Sequence, residues 1–236
     1  EYDGPQLNRD DHFGYIVGRT DTEVFPGDNM TRAEVATVFF RLLTDESRAE
    51  YWSNTNGFSD IESEAWYNNA VSTMSNAGVI TGYDDDTFRP NAPITRAEFA
   101  AMAVRFYGEV GEYSSDAFND IASSWARNYI NRAYELELIG GYPDGSFRPN
   151  NNITRAEVIT IINSMLDREP DADHLHREMK IWADNSDPTA WYYADIQEAT
   201  NSHTYEAGTD YEVWTGIEPL RDWVSLEQEW SDVYRI

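Results

Sequence analysis

The 236-residue chain carries 43 acidic residues against 17 basic ones, a formal net charge of −26, and a single lysine, Lys180. A field of that sign and size excludes nucleic acid and anionic membrane surfaces as partners, while 41% hydrophobic and 14% aromatic content excludes general disorder. Cysteine is absent, which removes disulfides, thiolate metal sites and cysteine nucleophiles, and no run of 18 apolar residues offers a membrane span. The opening "EYDGPQ" reads as an internal start, with a signal peptide expected to have been trimmed ahead of it.

In chain order, residues 1–52 hold a glycine-containing loop, "YIVGRTDTEVFPGDN", followed by an amphipathic helix behind "MTRAEV". Residues 53–112 and 113–170 each read as helix, loop, helix. The first helix is expected to begin after Asp60 or Asp120 and to carry Trp66, Ala70, Val71 and Met74, or Trp125, Tyr129, Ile130 and Ala133. It ends near Gly78 in the first copy, as a glycine C-cap predicts. The loops "GYDDDTFRP" and "GYPDGSFRP" are dense in turn formers. Behind them "ITRAEF" and "ITRAEV" open helices with apolar residues at i, i+3, i+4, i+7 and i+8, among them Val158, Ile161, Ile162, Met165 and Leu166. Residues 171–236 hold a lone first half, "KIWADNSDPTAWYYADIQEAT", in which Trp191 corresponds to Trp66 and Trp125. An aromatic tail that matches no repeat follows, with Trp214, Trp223 and Trp230 expected to pack across the C-terminal unit.

The arginines recur at intervals of 64 residues (Arg32 to Arg96) and 59 residues (Arg96 to Arg155), so one supersecondary unit is used repeatedly. The chain starts with a second half and ends with a first half. Three complete units follow if the ends join, and a closed pseudo-threefold arrangement explains this better than an open solenoid with capping repeats.

Thr-x-x-Glu ahead of an apolar run is a capping box, and Met30/Val35, Ile94/Phe99 and Ile153/Val158 stand at its staple positions. The arginine at the first helical position is not accounted for, because a cation there opposes the helix dipole. Either an anionic ligand meets Arg32, Arg96 and Arg155 at free helix amides, or carboxylates of neighbouring units do. An Arg→Ala change is then expected to remove a ligand contact while the capping box keeps the helix folded.

Taken together, F-x-D-I…W, "ITGYDDDTFRP"/"IGGYPDGSFRP" and "ITRAE" resemble the S-layer homology (SLH) repeat of bacterial surface proteins, over about residues 8–200. The resemblance implies a mainly α fold, with three helix-loop-helix units in a pseudo-threefold, three-pronged spindle. It implies extracellular localisation at the cell wall or S-layer. The implied function is non-catalytic anchoring, in which inter-prong grooves bind an acidic, pyruvylated cell-wall polysaccharide. The ligand-binding residues carried over are Arg32, Arg96 and Arg155, with Gly18, Gly82 and Gly141, and Trp66, Trp125 and Trp191. The tryptophans have a second reading as core residues. Arg19 stands where Tyr83 and Tyr142 stand in the other copies, so the groove grouped with Arg32 is expected to be the weaker one. Asp86 replaces Gly145. The competing function is a self-association or protein-partner module in a surface lattice. A catalytic or surface module is expected outside this stretch of chain.

No cofactor and no metal site are expected. Counting eleven back from Glu98 or Glu157 gives Thr87 or Ser146, so the loops are not EF-hands, although incidental calcium suits so acidic a surface. His174 and His176 in "DADHLH" diverge if helical. No nucleophile elbow, zincin, P-loop or dinucleotide motif appears, and paired carboxylates are too common in this composition to signal an enzyme.

Overall fold

The Thr-Arg-Ala-Glu segments start helices as the capping boxes require. In the computed structural model, which describes residues 3–233 and their side chains as far as Gln228, these helices are α1 (Arg32–Leu42), α4 (Arg96–Val104) and α6 (Arg155–Met165). Each N-cap threonine accepts from the glutamate amide three residues on, and each glutamate returns to the N-cap amide. The staple residues Met30, Val35, Ile94, Phe99, Ile153 and Val158 are all buried.

Between them lie α2 (Asp45–Tyr51), α3 (Asn68–Asn76), a 3-10 turn at Arg105–Tyr107 and α5 (Arg127–Glu135). After α6 come α7 (Tyr193–Thr200), an antiparallel hairpin of β1 (His203–Ala207) and β2 (Glu212–Ile217), and α8 (Trp223–Val233). The described residues are therefore mainly α-helical, with α1 packed on α3, α4 on α5 and α6 on α7. None of these helices is long and apolar enough to cross a membrane.

Contacts divide the chain into two compact units. One comprises Asn29–Ile153 with short stretches from both termini, and the other Asn8–Asp28 with Thr154–Trp223. The first is centred on Phe39, Met74, Phe88 and Phe99, and the second on Tyr15, Ile159, Ile162 and Ile196. Within the second unit the two chain ends join. Tyr15 and Ile16 donate to the Ala199 carbonyl, Ala183 donates to Thr22, and the Asp184 carboxylate accepts from the amides of Val24 and Phe25 at 3.0 and 2.6 Å. Asp60 makes the same clasp on Phe88 and Arg89, and Asp120 on Phe147 and Arg148.

The clasp corrects the expected helix starts. Asp60 and Asp120 hold loops; α3 and α5 begin eight and seven residues later, at Asn68 and Arg127, without side-chain caps. Trp66, Trp125 and Trp191 therefore lie before their helices, where they are 50%, 63% and 64% exposed, and the core reading of all three is overturned. Trp214 and Trp223 are buried as expected, whereas the Trp230 side chain and residues Glu1 and Tyr2 lie outside the described residues. "DADHLH" is a turn and not a helix; His174 pairs there with Asp171 at 2.7 Å.

Three helices end in Schellman motifs, with the C′ residue left-handed. Gly78 (φ 73°) fills that position after α3, but Glu137 (φ 59°) fills it after α5 and Asp167 (φ 56°) after α6. Exposed Glu137 bears the steric cost of that conformation, so Glu137→Gly is expected to raise stability by about 1 kcal/mol in urea unfolding. A stability equal to or below wild type would contradict the strain.

Candidate ligand-binding site

The loops that carry the candidate glycines share one construction. Tyr83 donates its amide to Thr87 and Tyr142 to Ser146, and the Asp85 and Asp144 carboxylates turn back onto Thr87 and Ser146. Arg89 and Arg148, both left-handed, lie over the rings of Tyr83 and Tyr142 and reach Asp85 and Asp144 at 3.0 and 3.1 Å. The Ser146 hydroxyl and amide, with Arg148, hold the Asp144 carboxyl down at about 2. Asp86, at φ 60°, adopts the left-handed turn that Gly145 adopts at 78°, as its side chain permits.

The glycines are required by close packing. A Cβ on Gly82 would sit 2.5 Å from the Phe58 ring, one on Gly141 2.4 Å from Phe118, and one on Gly18 2.3 Å from Trp182. Trp182 thus fills, in the unit built from the chain ends, the place that Phe58 and Phe118 fill elsewhere.

The arginines differ from expectation in two respects. First, the amides at their helix N-termini are not free. Arg32 and Ala33 donate to the carbonyls of Ala92 and Pro90, Arg96 and Ala97 to Asn151 and Pro149, and Arg155 and Ala156 to Asp28 and Pro26. Second, all three side chains are buried, at 3%, 7% and 4% exposure, and each reaches a loop other than its own repeat's. Arg32 Nε donates to Phe88 O at 2.7 Å and Nη2 to Thr81 O at 3.1 Å, while Nη1 meets Glu98 at 2.9 Å. Arg96 Nε donates to Phe147 O at 2.8 Å. Arg155 reaches Val24 O and Val17 O. An internal carboxylate therefore does meet Arg32, and the irregular "GRTDTEVF" loop belongs with Arg155 instead of Arg32.

Arg32 floors a 480 Å³ recess in the first unit. Gly82, Tyr83 and Asp84 form one wall, Arg105 on the 3-10 turn another, and Trp125 stands at the rim. Tyr83 donates its hydroxyl to Glu98; burial, then this bond, raises its pKa and keeps it a neutral donor. Arg105 is half-buried, donates to Val79 O at 2.8 Å and lies over Tyr129. Motif reading missed Arg105, although nine residues after Arg96 it matches the position of Arg41 after Arg32. Arg41 is paired with Glu227 of α8, so the equivalent cation there is already taken.

The recess sets exposed Trp125 beside two arginines and two carboxylates, Asp84 and Glu98, with Arg32 paired to Glu98 and the Tyr83 hydroxyl donated to the same carboxylate. The chain carries two S-layer homology domains, matched at residues 57–100 and 117–159. It is 33% identical over 207 residues to cell surface glycoprotein 1 of Acetivibrio thermocellus, covering 83% of this chain and 9% of that protein. It is 32% identical over 201 residues to the cellulosome-anchoring protein of the same organism, covering 83% and 44%. Its likeness to the surface-layer 125 kDa protein of Lysinibacillus sphaericus is 28% over 174 residues, 69% of this chain and 14% of that one. The chain thus spans less than half the length of each of these relatives.

Proposed function

We propose that this chain is a non-catalytic, extracellular anchor that holds a larger protein to a bacterial cell wall. It does so by binding an acidic, pyruvylated wall polysaccharide. The observation that carries the reading is the recess itself, which exposed Trp125 lines together with buried Arg32 and half-buried Arg105. An exposed tryptophan offers a sugar ring an apolar face, and a guanidinium offers a carboxylate a planar fork. Arg32 gives three of its five N–H donors to Phe88 O, Thr81 O and Glu98, leaving two for an acidic group.

In this reading the repeats 1–52, 53–112, 113–170 and 171–236 make three units of a pseudo-threefold, three-pronged spindle. The threefold recurrence of capping box, aspartate clasp and arginine-to-loop contact supports it. Arg96 with Gly141 and Arg155 with Gly18 are the corresponding ligand sets, and Trp66 and Trp191 the corresponding plates. The recess of Arg32 becomes the strongest site because its loop is regular, and that of Arg155 the weakest.

Trp125→Ala is expected to leave the melting temperature unchanged and to weaken binding to purified, protein-free walls about tenfold, roughly the worth of one stacked ring. Arg105→Ala is expected to act in the same direction. Wild-type wall binding by both variants would remove the recess from the site. Concentration-dependent oligomers without wall binding, measured by sedimentation, would favour the lattice module instead.

A further inference from the structure

The second unit contains a cluster that the anchoring function does not use. His12 from the N-terminal segment, Glu198 from α7, His203 from β1 and Glu212 from β2 bring one ligand atom each to a common point, and all four residues are buried. His12 Nδ1 lies 3.1 Å from His203 Nε2, 3.1 Å from Glu198 Oε1 and 3.4 Å from Glu212 Oε2. His203 Nε2 lies 3.2 Å from Glu198 Oε2 and 3.5 Å from Glu212 Oε1. Four nitrogen and oxygen ligands at about 2.0–2.1 Å from a tetrahedral zinc ion stand about 3.3 Å from one another. One ligand atom from each of the four residues lies within 4.8 Å of the others, close enough for a small inward adjustment to complete such a shell.

Hydrogen bonding alone does not account for the cluster. Glu198 Oε2 is fully enclosed and, although His203 Nε2 stands 3.2 Å away, makes no hydrogen bond. Buried carboxylate oxygens are costly to leave in that state. The two ring nitrogens face each other at 3.1 Å, so one must present a lone pair. His203 Nδ1 lies 2.9 Å from the Asn201 carbonyl, to which it donates, and this turns Nε2 inward toward His12, Glu198 and Glu212. A backbone carbonyl behind the ring is the usual support of a metal-binding imidazole. The carboxylates are oriented from behind as well: Trp214 Nε1 donates to Glu212 at 3.2 Å and Arg168 to Glu198 at 3.2 Å. His203 is stacked on Trp214 at 3.7 Å and His12 on Tyr205 at 3.9 Å, which fixes both rings.

We propose that His12, Glu198, His203 and Glu212 form a structural site for a divalent transition-metal ion of the zinc class. Imidazole and carboxylate ligands without sulfur suit zinc, and four protein ligands leave no open position for catalysis. A recess of 410 Å³ that reaches His12 and His203 past Asp10, Asp11 and Glu218 supplies an acidic entry path for a cation. The ion would tie the N-terminal segment, α7 and both strands together, doing for a chain without cysteine what a disulfide does elsewhere.

The test uses the whole chain, stripped with EDTA and titrated with zinc chloride in excess calcium, which saturates the exposed carboxylates. One zinc per chain is expected, with a rise in melting temperature. Cobalt(II) in its place is expected to give the strong visible absorption of a tetrahedral site. Glu212→Gln is expected to lower zinc affinity at least about 100-fold. Trp214→Phe, which keeps the ring stack and removes the donor to Glu212, is expected to lower it about tenfold. Asp171→Asn, in the separate His174 pair, should change nothing. Should Glu212→Gln fail to fold, the cobalt spectrum of the wild type and the Trp214→Phe titration decide. A cobalt complex without that absorption, no zinc uptake above excess calcium, or zinc affinity equal in wild type and Trp214→Phe would each overturn the site.

Discussion

Arg32→Ala is expected to cost about 3–5 kcal/mol of folding stability, the range for removing one partner of a buried ion pair. The change withdraws donors from the Phe88 and Thr81 carbonyls and leaves Glu98 without its cation. Arg32→Lys should recover only part of this, since one ammonium cannot serve three acceptors set around a planar fork. Urea unfolding measures it. A loss under about 1 kcal/mol for Arg32→Ala would show that the ion pair is not maintained in solution. The result also governs how ligand binding is read. Expecting the helix to stay folded after the change takes account of the capping box but not of the loop that the side chain fastens. Binding by the alanine variant therefore has to be measured where it is shown to be folded.

Asp184→Ala should lose about 3 kcal/mol, because its carboxylate accepts two amide hydrogen bonds and a bond to a charged group is worth about 1.5–3 kcal/mol. Asp184→Asn, retaining one acceptor oxygen, should lose about half as much. Asp60→Ala and Asp120→Ala are the natural comparisons, being the same clasp made within a continuous repeat. If Asp184→Ala unfolds like wild type while the other two are destabilised, the joining of the chain ends is wrong.

What the sequence revealed follows from how local each signal is. The capping boxes span four residues and were legible in full. The loop glycines were legible as turns, but their reason, the rings of Phe58, Phe118 and Trp182, lies 23 or more residues away in the first two copies and far across the chain in the third. The starts of α3 and α5 were misplaced because Tyr67 and Ala126 cap nothing with their side chains, while the aspartates that look like caps serve the loops. Reading each arginine with its own repeat grouped Arg32 with the irregular loop, and only the fold shows that the contact crosses to another repeat. The His12–His203 pair was invisible: its members stand 191 residues apart, and no motif links two solitary histidines to glutamates on a helix and a strand.

The joining of the two ends has a consequence for the order of assembly. The Asp60 clasp closes over 28 residues and the Asp184 clasp over 160. Loop-closure entropy makes the longer one only about 1.5 kcal/mol less favourable, so it weighs little at equilibrium. It weighs more in time, because distant pairings form slowly. A chain delivered amino end first exposes Val24 and Phe25 long before their acceptor arrives. Residues 8–28 can meet Arg155 and Ala156 of α6 first, and gain the Asp184 clasp and the Ala199 carbonyl only later. The unit that holds Asn8–Asp28 is therefore completed only once α7 is made, and a chain cut short ahead of Asp184 leaves the Val24 and Phe25 amides without that acceptor.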